Sequence, residues 1–318
     1  MRERLLEWAE KRGYRLAWGP AEAAAAASAE VVRRGRNGEL DAGFYAAELA
    51  GMAAAGKQPM AGTVVMVAVP RPAHRVRFEL GEELFPALLP PTYVGYRALF
   101  EEVRQDLASE GLPGARVEIL MAPLKATAAR LGLVRYGLNN ITYAPGLGSY
   151  IQLCGYLTDA PLPAAGDAGR VEPALLDECA ACGACTGACP TGAIGDERVL
   201  ISADRCLTFA NETPGEWPPF VPQWAHTCLL GCLECQTVCP VNPRLRVEET
   251  GVIFSASETR TLLAGSGEND RTATGIATKM AWLGQPYAEP VIGRNLRALV
   301  DAERPGENAG RRDPQAVH

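Results

Sequence analysis

No cysteine occurs in the first 153 residues or in the last 79; all ten lie between Cys154 and Cys239. Histidine is scarce as well, with only His74, His226 and His318. Positive charge is in deficit: 31 Lys+Arg against 37 Asp+Glu gives 31 − 37 = −6 over 318 residues. Such a chain does not hold nucleic acid by bulk charge. Long apolar runs are missing too, since the longest, 64–69, is far too short to cross a bilayer. The first residues, Met-Arg-Glu-Arg-Leu-Leu-Glu-Trp, mix both charge signs where a signal peptide needs an apolar stretch. These absences predict a soluble, cytoplasmic protein with no membrane partner. At 47% hydrophobic and 21% charged residues, the composition is that of a globular chain.

The cysteines carry most of the remaining signal. Disulfide frameworks belong to small secreted domains, and this chain is neither small nor visibly secreted. Ten thiols gathered in one segment point instead to metal. Cys179-x2-Cys182-x2-Cys185-x3-Cys189-Pro190 is the run used by bacterial ferredoxins, and a shortened copy follows as Cys232-x2-Cys235-x3-Cys239-Pro240. In that pattern three closely spaced thiolates wrap one cubane, while the Cys before Pro ligates the neighbouring cluster. Cluster one is then Cys179, Cys182, Cys185 and Cys239. Cluster two takes Cys189, Cys232 and Cys235 and needs a fourth ligand, from Cys206 or Cys228. A regular second motif would place it at 229, which is Leu229, so Cys228 is off by one. Zinc sites of four cysteines use separated Cys-x2-Cys pairs, whereas three ligands plus a Cys-Pro in one run favour iron–sulfur. Cys154, in an apolar stretch, reads as a buried inert thiol.

Hydrophobic periodicity predicts helices over 2–12, 21–34 and 39–55, strands over 63–69 and 74–80, a helix over 93–110 and a strand over 116–121. Pro123 is placed to start a helix ending near Gly132. This alternation describes an α/β domain over 1–160. The stretch 161–169 has linker composition. A two-cluster domain over 170–250 follows, then a helical extension over 251–318 with helices at 258–263 and 291–302 and a frayed end from Pro305.

The order of an α/β domain, the full cysteine run, a lone Cys and the shortened run resembles the epoxyqueuosine reductase family, itself related to reductive dehalogenases. Gly137-Leu138-Asn139-Asn140-Ile141, Gly148-Ser149-Tyr150 and Leu157-Thr158-Asp159 are similar to the family's approach to its ferredoxin segment. CGACTGACPTGAI, DRCLTF and GCLECQTVCPVNP are similar to its double-cluster signature. The resemblance implies an α+β protein: a nitroreductase-like α/β domain of cobalamin type, then a small bacterial-ferredoxin-like domain. It implies base-off cobalamin fed with electrons by two 4Fe–4S clusters, the cofactor supplying the chemistry and the protein positioning it. It favours Cys206 as the fourth ligand of cluster two. It also places Arg135, Tyr136, Gly137, Asn139, Asn140, Gly148, Ser149 and Tyr150 near the corrin.

Departures from the family modify this. Leu120-Met121-Ala122-Pro123 stands where the family carries an acidic proton donor, and losing a general acid costs roughly 10²–10⁴-fold. Val134-Arg135-Tyr136-Gly137-Leu138 replaces a Gly-Trp-Ile-Gly-Lys-like element, and the chain stops without the family's helical-repeat tail. With the −6 charge, these features argue against nucleic acid and for a small-molecule substrate. Tyr93, Tyr96 and Tyr136 are the candidates to replace the acid, Tyr136 and Tyr96 foremost, with Arg135 expected to make the Tyr136 phenol more acidic. The expected protein is an oxidoreductase served by a low-potential ferredoxin or flavodoxin-type donor. The alternative is an iron–sulfur electron-transfer protein that reductively activates a partner corrinoid protein.

Overall fold

In the computed structural model, which describes residues 1–55, 62–163, 171–195, 200–265 and 270–303, the apolar run 64–69 is the middle of a sheet. Nine strands form among the described residues: β1 (Arg15–Pro20), β2 (Thr63–Pro70), β3 (Ala73–Leu80), β4 (Glu83–Leu89), β5 (Val117–Ile119), β6 (Arg135–Tyr136), β7 (Thr142–Tyr143), β8 (Ile151–Thr158) and β9 (Val247–Phe254). The chain divides into two compact units. The first comprises Met1–Arg71, Arg97–Gly183 and Gly195–Ala203; the second comprises Pro72–Tyr96, Ala184–Ile194 and Asp204–His318.

The first unit is built on an antiparallel sheet of order β1-β2-β8-β5. β2 is apolar at every position from 64 to 69 because both of its faces are covered. Alternate side chains of a strand point to opposite faces. Val64, Met66 and Ala68 meet alanines of the helices Glu22–Arg36 and Leu124–Arg130. Val65, Val67 and Val69 meet Leu5 and Trp8 of helix Arg2–Lys11, and Leu99 and Val103 of helix Tyr96–Asp106. Cys154 lies fully buried in β8 opposite Val67. β6 and β7 form a separate two-stranded hairpin.

The second unit carries a three-stranded sheet of order β4-β3-β9 in which β3 pairs antiparallel with β4 and parallel with β9. Val76, Phe78 and Phe254 line its covered face against Leu262, Ile276, Met280, Ile292 and Leu296 of the helices Ala256–Ala264, Asp270–Trp282 and Glu289–Glu303. The rings of Phe78 and Phe254 stack at 4.7 Å. A capping box of Ser255 and Glu258 starts the first of these helices.

The division into 1–160, 170–250 and 251–318 is therefore not the division into compact units. The strand expected at 74–80 belongs with β9, some 170 residues later, because a parallel partner requires a long crossover. The C-terminal region holds a helix, Asp270–Trp282, beyond the two expected. The predicted frayed end from Pro305, and 164–169 of the predicted linker, lie outside the described residues. Among the described residues no helix is long and apolar enough to cross a membrane.

Candidate metal centre

Eight thiols of the two runs and the lone Cys are free of disulfides, and each keeps some surface accessible, Cys182 most of all. Cys179 and Cys182 belong to the first unit; Cys185, Cys189, Cys206, Cys232, Cys235 and Cys239 belong to the second. Cluster two's expected ligands thus all lie in one unit.

In the first unit the approach to Cys179 is held by β6. The Tyr136 N–H donates to the Ala174 carbonyl at 3.0 Å, and the Leu176 N–H donates to the Tyr136 carbonyl at 2.8 Å. Arg135 donates through both terminal nitrogens to the Asp177 carboxylate, each at 2.6 Å. Asp177 opens the 3-10 turn Asp177–Ala181 that contains Cys179. The forked guanidinium matches a carboxylate in two parallel bonds.

In the second unit, Cys185 lies in helix Ala184–Ala188 and Cys235 in helix Glu234–Thr237, and these two short helices pack on each other. Each is followed by a Cys-Pro, so the packing brings the end of the first run, Cys185 and Cys189, beside the second run. The Ala193 N–H points at the Cys189 sulfur at 3.3 Å. Cys206 is the N-cap residue of helix Leu207–Glu212, its side chain making no capping hydrogen bond there. Cys206 also feels the charge of Cys189, which makes them electrostatic neighbours. Cys232 accepts from the Glu234 N–H. Burial pushes the Cys206 and Cys232 thiols up. A metal reverses that preference, because a coordinating thiol is deprotonated outright.

The donor chemistry fits a cubane, with thiolates in a ferredoxin run and the Ala193 N–H aimed at the Cys189 sulfur, although among the described residues no three ligating side chains already converge as a metal-ion site. Thr186 Oγ1, directly after Cys185, is buried without a protein partner, as a hydroxyl facing a cluster sulfide would be. Cys228 is different. It is 1% exposed, and burial pushes its thiol up to about 12. It adjoins Cys232.

The loop assigned to the corrin is largely self-contained. The Gly137 N–H donates to the Ile141 carbonyl at 2.8 Å and the Asn140 N–H to the Gly137 carbonyl at 2.9 Å, with Asn140 left-handed at φ 58°. Asn139, buried, donates to the Tyr143 hydroxyl at 2.9 Å and accepts from the Ile141 N–H. Gly148 pairs with Ala144, Ser149 is buried, and the buried Tyr150 accepts the Arg71 N–H through its carbonyl at 2.9 Å. These residues shape a rigid edge of backbone and amide. Both histidines within the described residues, His74 and His226, belong to the second unit, so the first offers no imidazole as a lower cobalt ligand.

The expected acidification of Tyr136 does not occur. Arg135 is spent on Asp177, and burial pushes the Tyr136 phenol up to about 12; Glu30 adds to this, and Arg34 and Arg130 oppose it. Tyr96 opens helix Tyr96–Asp106, partly buried, and belongs to the second unit while Tyr136 belongs to the first. Leu120, at the position expected to be acidic, is buried at 3% exposure.

Three comparisons bear on this arrangement. Residues 178–242 match the model of the 4Fe-4S double cluster binding domain. Curated relatives include the epoxyqueuosine reductase of Bacillus subtilis, 34% identical over 118 residues that cover 37% of this chain and 28% of the relative. The Pseudomonas aeruginosa epoxyqueuosine reductase is 31% identical over 183 residues, 56% of this chain and 46% of the relative. The chain thus spans about a quarter to a half of the length of these relatives. Among solved structures, epoxyqueuosine reductase from Bacillus subtilis, with its catalytic loop swung out of the active site, has TM-score 0.64 at 20% identity, covering 95% of this chain and 81% of that one. An epoxyqueuosine reductase holding an epoxyqueuosine-modified tRNA-Tyr stem loop has TM-score 0.61 at 21% identity, with the same coverage. At these identities the structures speak to the fold alone. The segment is a double 4Fe–4S binding segment on a chain that shares the fold of epoxyqueuosine reductases.

Proposed function

We propose, starting from homology to epoxyqueuosine reductases and a shared fold, that this chain is an iron–sulfur oxidoreductase that reduces its substrate at a bound cobalamin. The observation that carries the reading is the packing of helix Ala184–Ala188 on Glu234–Thr237, which brings both Cys-Pro pairs, with Cys185 and Cys235, together in the second unit. Cluster one is Cys179, Cys182, Cys185 and Cys239, and cluster two is Cys189, Cys206, Cys232 and Cys235. A corrinoid, when bound, supplies a cobalt whose reduced form is a strong nucleophile. The chain's own part is positional. Gly137, Asn139, Asn140, Gly148, Ser149 and Tyr150 offer it a rigid edge, and Arg135 and Tyr136 tie that edge to the turn holding Cys179. A low-potential ferredoxin or flavodoxin fits as electron donor, since each cluster passes one electron at a time.

The relatives' names, and the structure with a tRNA stem loop, favour epoxyqueuosine in tRNA as the substrate. A second reading, a small substrate, is favoured by Leu120, which puts an aliphatic side chain where the resemblance expects a carboxylic acid. On that reading Tyr136 is the proton donor to test, its phenol holding its proton at neutral pH.

The test is anaerobic reconstitution with cobalamin, followed by assay with an epoxyqueuosine-modified stem loop and a chemical reductant. Tight base-off binding with turnover supports the first reading, and binding without turnover directs the search to small substrates. A chain that binds no corrinoid but passes electrons to a corrinoid protein is an electron-transfer protein, and the proposal fails.

A further inference from the structure

The second unit contains a buried polar network that the assignment of cluster ligands does not use. Helix Leu207–Glu212, whose N-cap residue is Cys206, is a six-residue helix. Its last carbonyls have no partner within the helix, as at any helix C-terminus. They are taken by helix Glu289–Glu303. Arg294 donates to the carbonyls of Ala210 at 2.8 Å, Thr213 at 3.0 Å and Gly215 at 2.6 Å, with a longer bond to Asn211 at 3.3 Å. Its guanidinium sits 3.9 Å over the Trp217 ring.

Asn295, 1% exposed, links two regions. Its amide donates to the Asn211 carbonyl at 2.9 Å and to the Leu229 carbonyl at 3.0 Å. The fully buried Asn211 in turn donates to the Gly231 carbonyl at 2.6 Å. Gly231 has φ 68°, and a Cβ there would lie 2.5 Å from the Tyr93 hydroxyl, so the turn presenting Cys232 has little room to shift. Tyr93 also hydrogen-bonds Glu212 at the end of the same short helix.

Two separated pieces of chain, one beginning at Cys206 and the other leading into Cys232, are thus clamped to each other through two consecutive residues of the C-terminal helix. We propose that Arg294 and Asn295 are positioning residues for the second 4Fe–4S cluster, holding the Cys206 helix against the 229–231 turn at the spacing a cubane requires. The inference rests on Cys206 as a ligand. It goes beyond the ligand assignment in giving the C-terminal helix a role at the cluster. Hydrogen bonds to sulfur and solvent exposure set a cluster's potential, and a shift of the Cys206 helix or of the 229–231 turn would change both.

The test uses the full chain, reconstituted anaerobically with iron and sulfide, in the unsubstituted form and as Asn295→Ala, Arg294→Gln and the conservative Arg294→Lys. Iron per chain, thermal stability and an EPR-monitored redox titration are read, with Cys206→Ser identifying the signals of cluster two. We expect cluster one to keep its signal and midpoint potential in Asn295→Ala and Arg294→Gln. Cluster two shifts in potential or is lost, with iron falling from about eight towards about four per chain, as two four-iron clusters require. Arg294→Lys, which retains a charge but not the fork, gives a smaller change. Unchanged cluster-two potential, line shape and iron in Asn295→Ala and Arg294→Gln overturns the proposal, and so does loss of both clusters together with the fold. If the unsubstituted chain lacks two clusters, or Cys206→Ser retains all its iron, the ligand assignment fails first and takes the proposal with it.

Discussion

Replacing Cys206 by alanine, and separately Cys228, decides which thiol completes the second cluster. The structure gives the two changes opposite signatures. Cys206 keeps an accessible edge, opens helix Leu207–Glu212 and neighbours Cys189. Its loss removes one of four ligands, so iron should drop from about eight to about four per chain. The apoprotein should lose little stability, because the Cys206 side chain makes no capping hydrogen bond. Cys228 is fully enclosed and held protonated, its thiol pushed up to about 12 by burial. Alanine there leaves a void of one sulfur atom, costing about 1–2 kcal/mol by analogy with other small truncations, and the iron should stay. Iron and sulfide assays beside thermal denaturation separate the outcomes. A Cys228→Ala chain with half its iron and a Cys206→Ala chain with all of it would refute the reasoning.

Other outcomes follow from the same geometry. Gly293→Ala places a Cβ against the Leu262 carbonyl where helix Glu289–Glu303 crosses Ala256–Ala264, and the melting temperature should fall by an amount equivalent to about 1–3 kcal/mol. Glu258 is ion-paired with Lys279 and accepts the Ser255 N–H at 2.7 Å. Burial alone would raise its carboxyl, but these partners outweigh it and hold it below the ordinary range. Its contribution is therefore complete above the unfolded value of about 4.3 and is lost as the pH falls through the depressed folded value. Glu258→Gln should lower stability at pH 7 and flatten its acid dependence, as urea titrations at several pH values would show. Cys154, pushed up to about 12 by burial, should resist alkylation in the native state at pH 8 and react only once the chain is unfolded, as mass spectrometry would show.

Much of this was legible in the chain. β2 and the helix Arg2–Lys11 are marked by local periodicity, and the cysteine runs carry their ligand pattern in their spacing. What escaped depends on distant partners. β4 and β9 read weakly because one face of each remains wet, and β9 acquires its role only by pairing with β3. Arg135 looks like a cofactor contact until Asp177 is brought to it by the pairing of Tyr136 with Leu175. Asn295 did leave a trace: a polar residue on the same helical stripe as Ile292, Leu296 and Leu299, all buried. A buried amide inside an apolar stripe needs partners, but only the fold names Asn211 and Leu229.

The most direct measurement is the iron, sulfide and zinc content of the anaerobically purified chain, together with its absorbance before and after reduction. Two interlocked cubanes predict a brown protein with about eight iron and eight sulfide per chain, whose visible absorbance bleaches on reduction. A colourless protein carrying zinc and no sulfide would contradict the account.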